Sequence, residues 1–187
     1  MAKNIEIEAR FIHIDKDKLI KRLKVLKAQD LGEDLLKEMI FYPENRTETG
    51  ESMVYTRIRT RKGKHIFSYK HRTAQTIDGT QEIEFETNDS QKTRDFLEAT
   101  GWEMVRSQEK LRHTFILDGV TFDFDTWPDV SPYLEIEGEK KESLKKVAEK
   151  LGLSWEDAIF EGAGRVLEKC LHVPVFSYTY FTFEKQE

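Results

Sequence analysis

The sequence contains a single cysteine, Cys170, which excludes an internal disulfide framework and any zinc site built from several cysteines. No apolar run approaches the ~18 residues of a membrane span. The opening Met1-Ala2-Lys3-Asn4-Ile5-Glu6 lacks the apolar segment of a signal peptide. The expected compartment is the cytosol, with no membrane partner. An excess of positive charge is also missing: 30 Lys and Arg against 35 Asp and Glu give a formal charge of −5. That balance argues against a general binder of nucleic acid. The Gly-x-x-x-x-Gly-Lys-Ser/Thr phosphate loop is absent. Gly162-Ala163-Gly164 lacks the third glycine of a dinucleotide fingerprint and follows no strand. No His-Glu-x-x-His pair occurs, and the five histidines are scattered, so no metalloprotease site or nucleophile–histidine arrangement can be argued.

What the 187 residues do have is charge, at 35% of the chain against ~25% for a typical domain. Apolar residues make up 38%, with twelve Phe, six Tyr and three Trp, enough for one core. Period-2 alternation predicts strands over 4–13, 38–43, 54–61, 65–71, 82–87, 107–117, 120–126, 133–137 and 175–183. Turns at Lys62-Gly63-Lys64, Asp78-Gly79 and Asp118-Gly119 join several of them as hairpins. Leu19, Leu23 and Leu26 mark an amphipathic helix over 17–29. Asn88, Asp89 and Ser90 offer caps for a helix that Gly101 stops, and Leu144–Leu151 predicts a third, ending at Gly152. Ser154 with Asp157 forms a capping-box pattern opening a fourth. No linker or repeat interrupts the chain, so residues 1–187 are expected to form one α+β domain.

Charges recur at i, i+2 spacing, strand after strand: Glu6/Glu8/Arg10, Arg57/Arg59/Arg61, Lys70, Glu82/Glu84/Glu86, Lys110/Arg112, Asp123/Asp125 and Glu135/Glu137. Residues two apart share a face of a strand. Each charged face therefore lies opposite an apolar one, as with Ile83 and Phe85 between the acids. Solvent explains any single strand of this kind. The set is different, because acids and bases segregate by strand and because four amphipathic helices need an apolar sheet face to cover. The expected architecture is a closed antiparallel β-barrel of about eight strands, with helices outside and the charges in its lumen. Such a lumen is costly unless occupied. Carboxylates suit Mg²⁺ or Mn²⁺, and Arg forks and Lys suit phosphate oxygens. Together they describe a site for a metal-bound polyphosphate.

This pattern resembles the CYTH, or triphosphate tunnel metalloenzyme, superfamily, which includes class IV adenylyl cyclases, thiamine triphosphatases and inorganic triphosphatases. Glu6-Ile7-Glu8-Ala9-Arg10 looks like its opening Glu-x-Glu-x-Lys, and Arg57-Ile58-Arg59 like its Arg-x-Arg strand. Ser68-Tyr69-Lys70, Glu82-Ile83-Glu84 and Lys110-Leu111-Arg112 resemble the strands that follow. Phe122-Asp123-Phe124-Asp125, Tyr133-Leu134-Glu135-Ile136-Glu137 and Ser177-Tyr178 resemble its late motifs. The departures are Arg10 for the usual lysine and Trp127-Pro128-Asp129 in a connection that often contains glycine. Arg10 keeps the charge but cannot accept a proton.

The resemblance implies a divalent-metal-dependent triphosphatase, with a small-molecule triphosphate as partner. It implies Glu6, Glu8, Asp125, Glu135 and Glu137 as metal ligands. It implies Arg10, Arg57, Arg59, Lys70, Lys110 and Arg112 as phosphate clamps, and Lys70, Glu84 and Asp125 as catalytic candidates. Glu82 and Asp123 are candidate supports that orient neighbouring bases. Glu86 and Arg61 read as rim residues. A class IV-type cyclase is the alternative, but no base-reading motif is recognisable. A non-catalytic polyphosphate binder would not need the acidic strands. The exposed aromatic C-terminal strand makes a homodimer conceivable.

Overall fold

A computed structural model describes residues 5–45 and 53–187. Ten strands form one sheet: β1 (Ile5–Glu6), β2 (Glu8–Phe11), β3 (Gln29–Pro43), β4 (Met53–Arg61), β5 (Lys64–Arg72), β6 (Thr80–Thr87), β7 (Trp102–Leu117), β8 (Val120–Thr126), β9 (Tyr133–Glu137) and β10 (Tyr180–Phe181). The hydrogen-bonded order is β1-β6-β5-β4-β3-β7-β8-β9-β2, and β10 pairs with β7. All neighbours are antiparallel except β10, which runs parallel to β7. The tightest hairpin, β7–β8, turns at Asp118 and Gly119, whose φ values of 52° and 75° match the right-handed twist of the flanking strands.

The expected closed barrel is corrected: the sheet is open, its path ending at β1 on one side and β2 on the other. The reason lies in the backbone of the first strand. β1 reaches β6 through only two residue pairs, and Ile7 then leaves the ladder. The second edge of β2 is occupied by other segments. The Arg10 and Ile159 backbones exchange both N–H···O bonds at 2.9 Å, and Glu8 N–H donates to Ile77 O at 3.3 Å. A strand edge satisfied this way has no donors left for β6.

Three helices cover part of the apolar face: α1 (Lys16–Val25), α2 (Ser90–Ala99) and α3 (Lys141–Leu151). Asp15 caps α1 by accepting from Lys18 N–H at 2.9 Å, and Asp89 caps α2 by accepting from Lys92 N–H at 3.0 Å. Leu19 and Leu23 of α1 join Leu144, Val147, Ala148 and Leu151 of α3 over Phe11, Phe122, Phe124, Leu134 and Ile136. On α2, Leu97 packs on Phe41 and Ile58. The covering stops there. Ile83 and Phe85 on β6 are 48% and 54% exposed, so the apolar face is wider than the helices.

The predicted fourth helix at Ser154 is a single turn, Trp155–Asp157, because the chain must extend at once to bridge Arg10 through Ile159. A short helix, α4 (Ala163–Arg165), continues through the wider turn Val166–Cys170. The predicted strand at 38–43 is the end of the fifteen-residue β3. The predicted strand at 175–183 is a turn, Val175–Ser177, followed by the two residues of β10.

Leu144 ties α3 to the sheet. It is fully buried, and a Cβ at Gly138 would come within 2.9 Å of its Cδ1. Leu144→Ala is expected to cost about 2–5 kcal/mol in urea unfolding. A loss below about 1 kcal/mol would show that α3 is not part of the cooperative core.

Candidate functional site

Burial and period 2 together carry the charged residues to the concave face. On β7, Arg106, Gln108, Lys110, Arg112 and Thr114 are buried while the residues between them are not. The result is an open cavity of about 690 Å³ walled by residues of seven strands, β1, β2, β4, β5, β6, β7 and β9. Twelve of the sequence-predicted residues meet there: Glu6, Glu8, Arg10, Arg57, Arg59 and Lys70, with Glu82, Glu84, Lys110, Arg112, Glu135 and Glu137. Two do not. Asp123 and Asp125 lie one layer behind, where Asp125 is fully buried against Lys110 and Arg112.

The pairing is dense. Lys110 Nζ donates to Asp125 Oδ2 at 2.6 Å and lies 5.0 Å from the Trp127 ring. Arg112 forks onto Asp125 at 2.6 and 2.7 Å and also reaches Asp123 at 2.6 Å and Glu135 at 3.0 Å. Thr114 Oγ donates to the other oxygen of Asp123 at 2.6 Å. Arg10 is bidentate to Glu8 at 2.7 and 2.8 Å, touches Glu135 at 2.5 Å and donates to the Glu161 carbonyl at 2.7 Å. Lys70 Nζ lies 2.8 Å from both oxygens of Glu6. Ser68 Oγ donates to Glu84 at 2.8 Å.

Arg57 is held differently. Its guanidinium lies 3.5 Å from Glu38, 3.7 Å from Glu82 and 3.9 Å from Glu84, and its buried Nε makes no hydrogen bond among the described residues. It is a buried cation with loose partners, open to an incoming anion.

These contacts set the protonation states. Burial is the largest influence and opposes the charge on Lys70, yet Glu6, Tyr55 and Glu82 together outweigh it and raise the ammonium well above its ordinary value. Lys70 is thus a fixed cation. Burial favours a neutral Glu135, but Arg10 and Arg112 hold it well below the usual carboxylate range. Glu137 goes the other way. It is exposed at one edge, but burial of the rest, then the like charges of Glu6 and Glu135, push it up to about 7.

As the side chains stand, no three carboxylates among the described residues converge on a single metal-binding point. Glu6 is turned onto Lys70, and Glu8 and Glu135 onto Arg10. The donor chemistry nevertheless fits a hard divalent cation. Glu137 is crowded by Glu6, Glu135 and Glu8. The buried Oε1 of Glu82 makes no hydrogen bond among the described residues.

A family model, the CYTH domain, matches residues 4–160. The chain belongs to the CYTH family. Solved structures of the same fold include PH1012 from Pyrococcus horikoshii OT3, 22% identical over 84% of this chain and 96% of that one, with a TM-score of 0.71. A candidate adenylate cyclase from Vibrio parahaemolyticus is 15% identical over 89% and 99% of the two chains, TM-score 0.73. A candidate adenylyl cyclase from Hippeastrum, HpAC1, whose dominant activity is that of a triphosphatase, is 16% identical over 90% and 96%, TM-score 0.55. At these identities the likeness is one of fold. No curated protein matches the chain. No described helix is long and apolar enough to cross a membrane.

This CYTH site contains residues that sequence reasoning missed. Arg72 lies two positions beyond Lys70, donates to Glu8 at 3.0 Å and to the Phe160 carbonyl at 2.7 Å, and lines the cavity. Period 2 extended by one step would have found it. Glu38 accepts from Arg59 at 2.8 Å and from Gln108 at 2.6 Å; on β3 it shares its buried face with Leu36 and Ile40, so no run of alternating charges marks it. Ser177 and Tyr178 are not among the cavity walls: Ser177 bonds Pro174, and Tyr178 stacks on Phe181 at 5.6 Å. Glu86 pairs with Lys64 at the surface, and Arg61 with Asp34.

Glu38 gives the acid limit of stability. Burial favours its neutral form, but Arg57, Arg59 and then Lys110 hold it well below the usual carboxylate range. A carboxylate depressed on folding stabilises above its unfolded pKa of about 4.3 and loses that contribution as pH falls through the folded value. In denaturant unfolding, stability is expected to rise as pH falls from 7 towards 5, because the raised Glu137 carboxyl takes up its proton in the folded state there, and to fall below about pH 4 as the Glu38 contribution is lost. Glu38→Gln should shrink that fall, and an unchanged acid limb in the variant would refute the assignment.

Proposed function

We propose that this chain is a divalent-metal-dependent hydrolase of triphosphate-containing substrates. The observation that carries the reading is one cavity holding both a loosely paired, buried Arg57 among fixed cations and a carboxylate cluster crowded enough to raise Glu137. The first feature calls for a polyanion and the second for a cation. A metal-bound triphosphate satisfies both.

Arg57, Arg59, Lys70, Arg10 and the Lys110–Arg112 pair clamp the phosphate oxygens, spreading positive charge along the chain. Asp125 and Asp123 act from behind, fixing Lys110 and Arg112 in place. Glu6, Glu8, Glu135 and Glu137 would hold Mg²⁺ or Mn²⁺, which supplies neutralisation of charge on the phosphoryl oxygens. Water oxygen bonds to the terminal phosphorus, the bridging P–O bond breaks, and its electron pair leaves on the shortened phosphate chain. Glu84, open to solvent and held by Ser68, is the carboxylate placed to take the water proton. The protein's contribution is position and field.

The test is incubation with Mg²⁺ or Mn²⁺ and, separately, tripolyphosphate, thiamine triphosphate and ATP, following phosphate and cyclic AMP. Chelator-sensitive phosphate release is the expected result. Cyclic AMP with pyrophosphate from ATP would mean that the ribose 3′-oxygen attacks the α-phosphorus, and the chain would be a class IV-type cyclase.

A further inference from the structure

Two residues past Asp125, the row of acids on β8 gives way to an aromatic. Across the β7–β8 hairpin, Thr114 stands opposite Asp123 and Arg112 opposite Asp125, each pair bonded side chain to side chain. The ladder ends at the pair Leu111–Thr126. One step further, Trp127 meets Lys110, whose ammonium lies 5.0 Å from the ring. Trp127 opens the connection at which this chain departs from the family pattern, and it is buried. The ring is fixed on two sides. Its Nε1–H donates to the hydroxyl of the fully buried Tyr133 at 3.2 Å. Phe181 stacks on it at 5.7 Å with 12° between the planes, and Tyr178 stacks on Phe181 in turn. Phe181 belongs to β10, beyond residues 4–160 of the family match.

The ammonium itself has few partners. Lys110 is 3% exposed and donates to Asp125 Oδ2, which Arg112 also reaches at 2.7 Å. Asp125 divides its charge between two cations and neutralises Lys110 only in part. A carboxylate at position 127 would complete the neutralisation. An indole attracts the cation through its quadrupole and carries no net charge. Lys110 is thus held in place and still charged toward the cavity that it walls. Trp127 is not among those walls, so it acts on a bound anion through Lys110.

Building on the triphosphate reading, we propose that Trp127 is a positioning residue for the phosphate clamp: its ring holds the Lys110 ammonium over the charged cavity without neutralising it, and Tyr133 and Phe181 hold the ring. The C-terminal strand β10 then serves the site, although it supplies no wall of the cavity. The signature is that tripolyphosphate affinity depends on the ring at position 127 only while Lys110 is present.

Calorimetric titration of the whole chain with tripolyphosphate, without divalent metal so that nothing turns over, reads the effect. Trp127→Leu is expected to weaken binding about ten-fold, within the range of a desolvated cation–π contact. Trp127→Phe keeps a π-face and loses the Nε1–H, and should recover to within about three-fold of the unsubstituted chain. In a Lys110→Met background, Trp127→Leu should change affinity by less than about two-fold. A packing role would not separate these cases, because the lost volume is the same with or without Lys110. Val175→Ala makes a cavity in the same buried cluster, and should lower the melting temperature while leaving tripolyphosphate affinity within about two-fold. Phe181→Leu keeps the test open if Trp127→Leu does not fold: it removes the stack behind the ring and should weaken binding about three-fold, again only with Lys110 present. Unchanged affinity in Trp127→Leu, or in Phe181→Leu where the former does not fold, would overturn this proposal alone. So would equal losses for Trp127→Leu, Trp127→Phe and Val175→Ala, or a loss that persists without Lys110. An unsubstituted chain that binds no tripolyphosphate would overturn the triphosphate reading as well.

Discussion

Arg112→Met is expected to destabilise the protein by about 3–5 kcal/mol, the cost of removing one partner from a buried ion network. Arg112 is 6% exposed and holds Asp125, Asp123 and Glu135 at 2.6–3.0 Å. Methionine fills similar volume but leaves three buried carboxylates with fewer cations. For a chain of this size the melting temperature should fall by roughly 6–20 °C. The sign of the pH dependence distinguishes this cause from simple loss of packing. Without Arg112 the carboxylates would have folded pKa values above their unfolded ones, and burial already lifts Asp123 despite Arg112. The variant's folded state would then bind more protons than its unfolded state, so its deficit should shrink as pH falls from 7.5 to 5.5. Equal deficits at both pH values in denaturant unfolding, or a deficit under about 1 kcal/mol, would show that Arg112 does not carry the network.

The same network explains what could be read from the chain and what could not. Alternation told which residues share a face, and twelve charged positions from different strands do wall one cavity. Alternation does not tell depth. Asp123 and Asp125 have the same period as Glu135 and Glu137, yet they stand behind the bases because β8 lies between β7 and β9, and its side chains meet those of Arg112 before they meet the cavity. Nor does period 2 tell whether two edges join. Closure depends on strand tilt and stagger, and here on a distant residue, Ile159, pairing with Arg10. That pairing also cut short the helix which Ser154 and Asp157 promised, since a tertiary backbone bridge outweighs a local cap. At the C-terminus, Phe181 stacks on Trp127 at 5.7 Å and on Tyr178, so the Val/Phe/Tyr alternation serves an aromatic cluster more than a ladder. Helix positions were easier, because Asp15 and Asp89 cap locally.

Glu137→Gln is expected to raise the Mg²⁺ or Mn²⁺ concentration for half-maximal activity by about 10- to 100-fold, the range seen when groups around a metal site are removed. Stability should hold or rise slightly, because the substitution deletes one of several crowded like charges: Glu6, Glu135 and Glu8 all raise Glu137. Glu135 is the wrong residue for this test. It lies 2.5 Å from Arg10 and 3.0 Å from Arg112, so its removal would strand two buried cations and mix a folding defect with a metal defect. Glu137 forms no such pair among the described residues and is exposed at its outer edge. A Mn²⁺ titration followed by calorimetry supplies a readout independent of turnover, and the affinity should fall in step with activity. Unchanged Mn²⁺ affinity with lost activity would move Glu137 from the cation to the substrate. If affinity and activity were both unchanged, the cation would belong with Glu82 and Glu84 on β6, the strand between those of Glu6 and Lys70.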